Sequence, residues 1–352
     1  MCIRDRLSAG SIAADEAVAV VDALFDSDVY RADQNSFMLY PDRELPSFLE
    51  KNRVPTDRVE RIPLLQEMLA RGDSRIIERD ANDCYRFSAD FTNVGDLNAE
   101  LDALLDEYGE MIDAARVPLQ SLYEQVFDHQ SFTGRSGGMF CFEGLGSIYW
   151  HLVSKLLLAV QENYFAAVQN DAGDDVCRRL GEIYYRVREG IGFNKTPDEY
   201  GAFPTDPYSH TPKHSGAKQP GMTGQVKEEV LTRFAELGVR VENGAARFDP
   251  CLLRSREFVS EPREFRFLDV DGDWQELSLP AGGLAFTWCQ VPVVYQLDDE
   301  AEPAISISLA DGTEQAVTGL ALSSETSSEI FRRSGRVRRL TVKLRANQLF
   351  SN

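Results

Sequence analysis

Long apolar runs, paired cysteines, histidine and positive charge are all scarce in this chain, and each scarcity excludes a class of protein. No apolar run reaches the roughly 18 to 20 residues that a membrane-spanning helix needs. The best stretch, Ile148 to Val160, is interrupted by His151, Ser154 and Lys155. The six cysteines (Cys2, Cys84, Cys141, Cys177, Cys251 and Cys289) include no Cys-x-x-Cys pair, so the spacing of a zinc ribbon or a thioredoxin-type redox motif is lacking. Taken as core or incidental thiols, they favour a reducing, cytoplasmic compartment, and nothing else in the chain addresses localisation. Lys and Arg number 37 against 57 Asp and Glu, a formal charge of −20. Such a surface repels a phosphate backbone and an anionic bilayer, which argues against nucleic acid and membrane as partners. What remains is 352 residues, 43% apolar, 10% aromatic and 27% charged, the composition of a globular chain of about two domains.

Residues 1 to 6, Met-Cys-Ile-Arg-Asp-Arg, look like adapter read-through and are set apart from the fold. On that reading residue 7 is an internal position of a longer protein. From Ser8 to about Leu237 the patterns have helical period: Ala17 to Phe25, Leu97 to Phe127, Leu145 to Val168, Val176 to Arg188 and Gln225 to Leu237. A less regular stretch, Asp33 to Asn93, carries Pro41, Pro46, Pro55 and Pro63, with a short strand pair expected around Arg75 to Ile77 and Tyr85 to Phe87. The proline-rich segment Gly190 to Gly224 has almost no periodicity and reads as a long loop, functional or disordered.

After Gly238 the period becomes two. Val239 and Val241 lead into Asn243-Gly244, Phe265 and Phe267 into Asp271-Gly272, and Ile305, Ile307 and Leu309 into Asp311-Gly312, three hairpin signals that predict an antiparallel β-sandwich. Most of the acidity precedes this point: 24 basic and 40 acidic residues lie before Gly238. The terminal basic run from Arg332 to Arg345 is interleaved with Val337, Leu340, Val342 and Leu344, the pattern of a last strand with one solvated cationic face.

All four histidines, His129, His151, His210 and His214, fall in one zone. Gly134, Gly137, Gly138, Gly144 and Gly146 sit just ahead of an apolar helix, where backbone amides backed by Arg135 could hold a phosphate, a carboxylate or a sugar hydroxyl. The spacing fits neither a Walker A loop nor a dinucleotide fingerprint, and a sharp loop between packed helices explains it equally. That helix carries Ser147, His151, Ser154, Lys155 and Glu162 on one arc, a polar stripe on an otherwise buried surface. His210 and His214 are four apart, but Pro207 and Pro212 oppose a helix there and no third ligand is indicated, so no metal is assigned. Lys195, Tyr208, His210 and Gln225 lie in a segment dense in amides, carboxylates and aromatics, the chemistry of a carbohydrate site. Glycoside cleavage needs a carboxylic acid at the leaving oxygen, with a second carboxylate on water or a phosphate as nucleophile. Glu143 and Asp206 are the first candidates, with Asp198 and Glu199 behind them, and each also reads as surface charge in so acidic a chain.

Paired helices closing with Met222 to Gly238, followed at once by Val239 to Pro250 and strands, resemble the end of the six-hairpin, (α/α)6-barrel glycosidases and glycoside phosphorylases. Thr133 to His151 and Gly192 to Lys227 look like segments of large members of that superfamily, and the likeness spans most of residues 100 to 345. The resemblance implies a multidomain chain, α then β: residues 7–237 as the closing hairpins of an (α/α)6 toroid, and 238–352 as the sandwich. It implies an oligo- or polysaccharide substrate, no cofactor, and inorganic phosphate as co-substrate if the parent is a phosphorylase. It also implies a phosphate-binding role that Gly134, Arg135, Ser136 and His151 match, while Lys195, Tyr208, His210 and Gln225 are substrate contacts on the reading of the residues given above. Six hairpins need twelve helices and this chain has about half, so the resemblance makes it a C-terminal fragment whose partner is the missing N-terminal half. A non-catalytic carbohydrate-binding or scaffold protein of the same architecture satisfies the same residues.

Overall fold

The structure, a computed structural model, describes residues 3–44, 46, 48–129, 145–204, 208–221 and 224–351, without the side chains of 48, 49 and 224–228. Glu143, Asp206, Arg135 and Ser136 lie outside the described residues, as does the side chain of Gln225.

The chain divides into two compact units, and the division is not at residue 237. Residues 38–147 form one unit, set into the sequence of the other, which joins Met1–Phe37 to Ile148–Asn352. The host unit opens with α1 (Ile3–Ser8), α2 (Ala14–Phe25), β1 (Tyr30–Arg31) and β2 (Ser36–Phe37). Residues 3–6, set apart in the sequence, are helical here, and the carbonyl of buried Leu7 accepts a hydrogen bond from Asn163 Nδ2 at 3.0 Å.

The inserted unit contains α3 (Phe48–Lys51), α4 (Thr56–Glu60), α5 (Pro63–Arg71), β3 (Ile77–Arg79), β4 (Tyr85–Phe87), α6 (Val94–Ala103), α7 (Leu105–Tyr108) and α8 (Glu110–Phe127). Proline at the first position starts α5, where its missing N–H costs no helical bond, and Gly72 at φ 71° stops it. Asn93 caps α6 by accepting from the Gly95 amide at 2.7 Å. The expected single helical run from Leu97 to Phe127 is broken at Leu104 and at Gly109, whose φ of 51° belongs to the left-handed side. Leu64, Met68, Phe87, Leu101, Ile112 and Leu119 meet in this unit's own core. The unit's two ends close on each other, with Tyr40 bridged to Leu145 and the Leu39 amide donating to the Ser147 carbonyl at 2.8 Å.

The host unit resumes with β5 (Ile148–Tyr149), α9 (Trp150–Gln169), α10 (Asp174–Glu189), α11 (Pro197–Tyr200), β6 (Tyr208–Thr211), β7 (Gln219–Pro220) and α12 (Gly224–Glu236). The segment read as a structureless loop therefore carries a short helix and two strands. Helix α9 packs against α1, α2, α10 and α12, which is why its sequence is apolar around most of its circumference. The expected polar stripe is divided: Ser154 is buried and bonds back to the His151 carbonyl, while Glu162 is exposed. The inward polar groups include Gln161 and Asn163, and Gln161 Nε2 donates to the Thr232 carbonyl of α12 at 2.8 Å.

Strands and one helix complete this unit: β8 (Val239–Glu242), β9 (Ala245–Phe248), β10 (Arg263–Leu268), β11 (Trp274–Leu279), β12 (Gly283–Trp288), β13 (Val291–Leu297), β14 (Ala304–Leu309), β15 (Glu314–Thr318), α13 (Ser324–Phe331) and β16 (Val337–Leu344). All three turn signals make hairpins: β8 with β9, β10 with β11, and β14 with β15. The main sheet runs β12-β13-β16-β14-β15 and is mixed rather than purely antiparallel, because β16 inserts between β13 and β14 and runs parallel to β13. Turn residues specify only local pairings, so this non-local one leaves no mark in the sequence. Val337, Leu340, Val342 and Leu344 of β16 are buried, while Arg338 and Lys343 pair with Asp271 and Asp298. The tyrosines knit helices to strands: Tyr295 Oη donates to the Leu237 carbonyl at 2.5 Å, and Tyr185 Oη to that of Leu252 at 2.6 Å. Helices and strands on either side of residue 237 thus share one body.

Candidate functional site

Among the sequence-selected residues that are described, the host unit gathers His151, Lys195, Tyr208 and His210 around the start of α9. Strand β5 pairs with β6, placing Tyr149 opposite His210 and Ile148 opposite Thr211. The Tyr149 and His210 rings therefore meet at 4.0 Å, edge to face, and the His151 ring stands 5.8 Å from Tyr149. Trp150 is buried behind them, its Nε1 donating to Thr211 Oγ1 at 2.9 Å. Tyr200 lies edge-on to both Trp150, at 5.4 Å, and Tyr208, at 5.9 Å. Ser209 Oγ sits 2.7 Å from His210 Nδ1 and also donates to the Gln219 carbonyl, so the imidazole is oriented from its own strand. His214 occupies a turn at φ 54°, off any helix. The two-imidazole helical spacing is thus not realised, and no group of three His, Cys, Asp or Glu side chains suited to a metal occurs among the described residues.

Lys195 is engaged within its own unit. Its Nζ lies 4.6 Å over the Trp150 ring and donates to the Gln34 carbonyl at 2.6 Å and to Gln34 Oε1 at 3.1 Å. Gln34 Nε2 in turn donates to the Glu199 carbonyl, so the lysine holds the segment after α10 in place. Burial pushes its ammonium down to about 8, with Asp33 and Glu199 acting in the opposite direction. The unfolded chain, with an ordinary lysine near about 10.4, binds more protons between those values, so this group's contribution to stability rises with pH across that window. Urea unfolding of wild type and Lys195→Met at about pH 7.5 and 9.5 should show the stability difference moving in favour of wild type by about 1 to 2 kcal/mol. A difference that does not change with pH would remove the buried cation from this account.

A second constellation was not singled out in the sequence. Glu229, Arg233 and Glu236 are spaced four and three apart on α12, hence on one face. Glu236 is fully buried: its Oε2 accepts from Tyr184 Oη at 2.7 Å, while its Oε1 is held by Arg233 and lies 3.3 Å from Arg188. Arg233 also reaches Glu257 at 2.7 Å. Burial raises the Glu236 carboxyl above the usual carboxylate range even though both guanidiniums pull it down. Beside this network lies a cavity of about 240 Å³ lined by Leu157, Arg188, Phe193, Glu229, Thr232 and Arg233. A larger cleft of about 640 Å³ shares Arg233 and Glu257 and adds Phe234, Phe265 and Phe286. The available signal was the periodicity of Glu229, Arg233 and Glu236, which an acidic chain disguises as a solvated helix face.

Residues 45–130 match a family model described as GH149 phosphorylase insertion domain 2. The matched range falls inside the compact unit of residues 38–147, and it does not include Gly192 to Lys227 or Thr133 to His151, on which the sequence resemblance rested. No curated protein matches the chain. Among the described residues no helix is long and apolar enough to cross a membrane. The inserted unit is thus similar to an insertion domain of a phosphorylase family, and this match over residues 45–130 supports a glycoside phosphorylase-like relationship.

Proposed function

We propose that this protein takes part in phosphorolysis of a glycosidic bond in an oligo- or polysaccharide, with inorganic phosphate as co-substrate. The observation that carries the reading is the match of residues 45–130 to a phosphorylase insertion domain, located in a unit that is itself an insertion. In the reaction a phosphate oxygen bonds to the anomeric carbon, the glycosidic carbon–oxygen bond breaks, and a carboxylic acid gives its proton to the departing oxygen. In this reading Glu143 or Asp206 supplies that acid, and Arg135, Ser136 and His151 are the residues assigned to bind the phosphate. Tyr208 and His210, with Tyr149 beside them, are assigned to the sugar, and Gln225 likewise by its place in the sequence. Helices α9, α10 and α12 are closing elements of an (α/α)6 toroid, and the strands after Gly238 form its sandwich.

The test is the initial rate of oligosaccharide cleavage by the protein in its full natural length as phosphate is titrated. Saturable dependence on phosphate is expected. Cleavage that proceeds unchanged without phosphate would make it a hydrolase, and saturable sugar binding with no cleavage would make it a carbohydrate-binding or scaffold protein.

A further inference from the structure

The cavity between α9, α10 and α12 has features that the reaction above does not use. Glu229 projects from α12 into its wall, half-buried, and its Oε1 is shielded from solvent and accepts no hydrogen bond from any described residue. A carboxyl oxygen held away from water without a donor calls for a partner. Burial raises this carboxyl above its ordinary range, and only Arg188 opposes the rise. Phe193, by contrast, is 40% exposed although it is a large apolar ring lining the same cavity, with the Arg188 guanidinium 5.4 Å from its centroid. A partly exposed aromatic ring and an acceptor without a donor suit a molecule with both C–H faces and hydroxyls.

The charges narrow the choice further. Among the described residues Arg188 and Arg233 are the cations of this cavity, and both are already engaged by Glu236 and Glu257. With Glu229 added, the carboxylates are not outnumbered, so the site offers no surplus positive charge to a phosphate or carboxylate ligand. A volume of about 240 Å³ accommodates one small ring and not a chain.

We propose that the cavity lined by Leu157, Arg188, Phe193, Glu229, Thr232 and Arg233 binds a single neutral sugar ring, stacked on Phe193 with a hydroxyl donating to Glu229. The choice of a sugar among small polyhydroxylated molecules rests on the phosphorylase-related reading, but its test does not require turnover. D-glucose, D-galactose, D-mannose and N-acetyl-D-glucosamine are titrated separately into the full-length protein through the millimolar range, with binding followed by NMR of the protein. At least one should bind saturably, and Phe193→Ala and Glu229→Ala should each weaken it about threefold to tenfold. Both variants should keep the wild-type melting profile, because Phe193 is exposed and Glu229 forms no described side-chain hydrogen bond. Glucose 1-phosphate should bind no more tightly than glucose. The proposal falls if none of the four sugars binds, if either variant leaves binding unchanged, or if the phosphorylated sugar binds more tightly through Arg233. Sugar binding here by a protein that fails to phosphorolyse would uphold this site and remove the proposed reaction, so the two readings fail separately.

Discussion

Glu236→Ala is expected to destabilise the host unit by about 1 to 3 kcal/mol, the loss of leaving the buried Tyr184 hydroxyl and two partly exposed guanidiniums short of an acceptor. The alanine removes the acceptor of Tyr184 Oη and leaves Arg188 and Arg233 sharing Glu257 alone, in a site where Glu236 itself is fully buried. The guanidiniums that lose it, with side chains 20% (Arg188) and 37% (Arg233) exposed, keep part of their hydration, which holds the loss below that of a fully buried charge. Glu236→Gln keeps the shape and the hydrogen bond from Tyr184 while cancelling the charge, so it should lose less than Glu236→Ala. All three tryptophans, Trp150, Trp274 and Trp288, belong to the host unit. Urea unfolding followed by tryptophan fluorescence therefore reports this unit without the insert. A Glu236→Ala midpoint within experimental error of wild type would mean that the network is solvated.

Gly238→Ala should cost about 2 to 4 kcal/mol by the same measurement, from two causes acting together. Gly238 ends α12 at φ 75°, where a side chain is strained. A Cβ there would also stand 2.2 Å from the Asp249 carbonyl carbon, a backbone atom that cannot swing aside. The contact exists because the Gly238 carbonyl accepts from the Asp249 amide at 2.9 Å, joining the helix end to the segment after β9. Gly244→Ala is the comparison: its φ is 77°, but the nearest atom to an added Cβ is Ser324 Oγ at 4.0 Å. It should lose only about 1 kcal/mol, the left-handed cost alone. Equal losses at the two positions would show that the close approach to Asp249 contributes nothing.

Local features of this fold were readable in advance and non-local ones were not. Asn243-Gly244, Asp271-Gly272 and Asp311-Gly312 each supply the left-handed conformations that tight hairpins require, and each makes one. The hairpin between β12 and β13 escaped notice because Cys289 and Gln290 take φ of 50° and 67° without a glycine. Gly238 was legible as the end of a helix, but its approach to Asp249 depends on how the chain returns. The boundaries at 37/38 and 147/148 were invisible for the same reason, since they exist only where Tyr40 meets Leu145, more than a hundred residues apart in sequence. At the candidate site, His151 stands out in the sequence on a polar arc of its helix and Tyr208 and His210 in a segment dense in polar and aromatic residues, whereas Glu236 and Glu229 read as surface carboxylates among 57. Only packing of α12 on α9 reveals which face of that helix is turned inward.

The reading of this protein as a phosphorylase-related enzyme is tested most directly by the fate of the phosphorus. Full-length protein, a mixture of oligosaccharides and inorganic phosphate are followed by phosphorus NMR. The account predicts that the phosphate resonance declines as a sugar 1-phosphate resonance grows, in step with shortening of the oligosaccharide. Shortened oligosaccharide with the phosphate signal unchanged would contradict it.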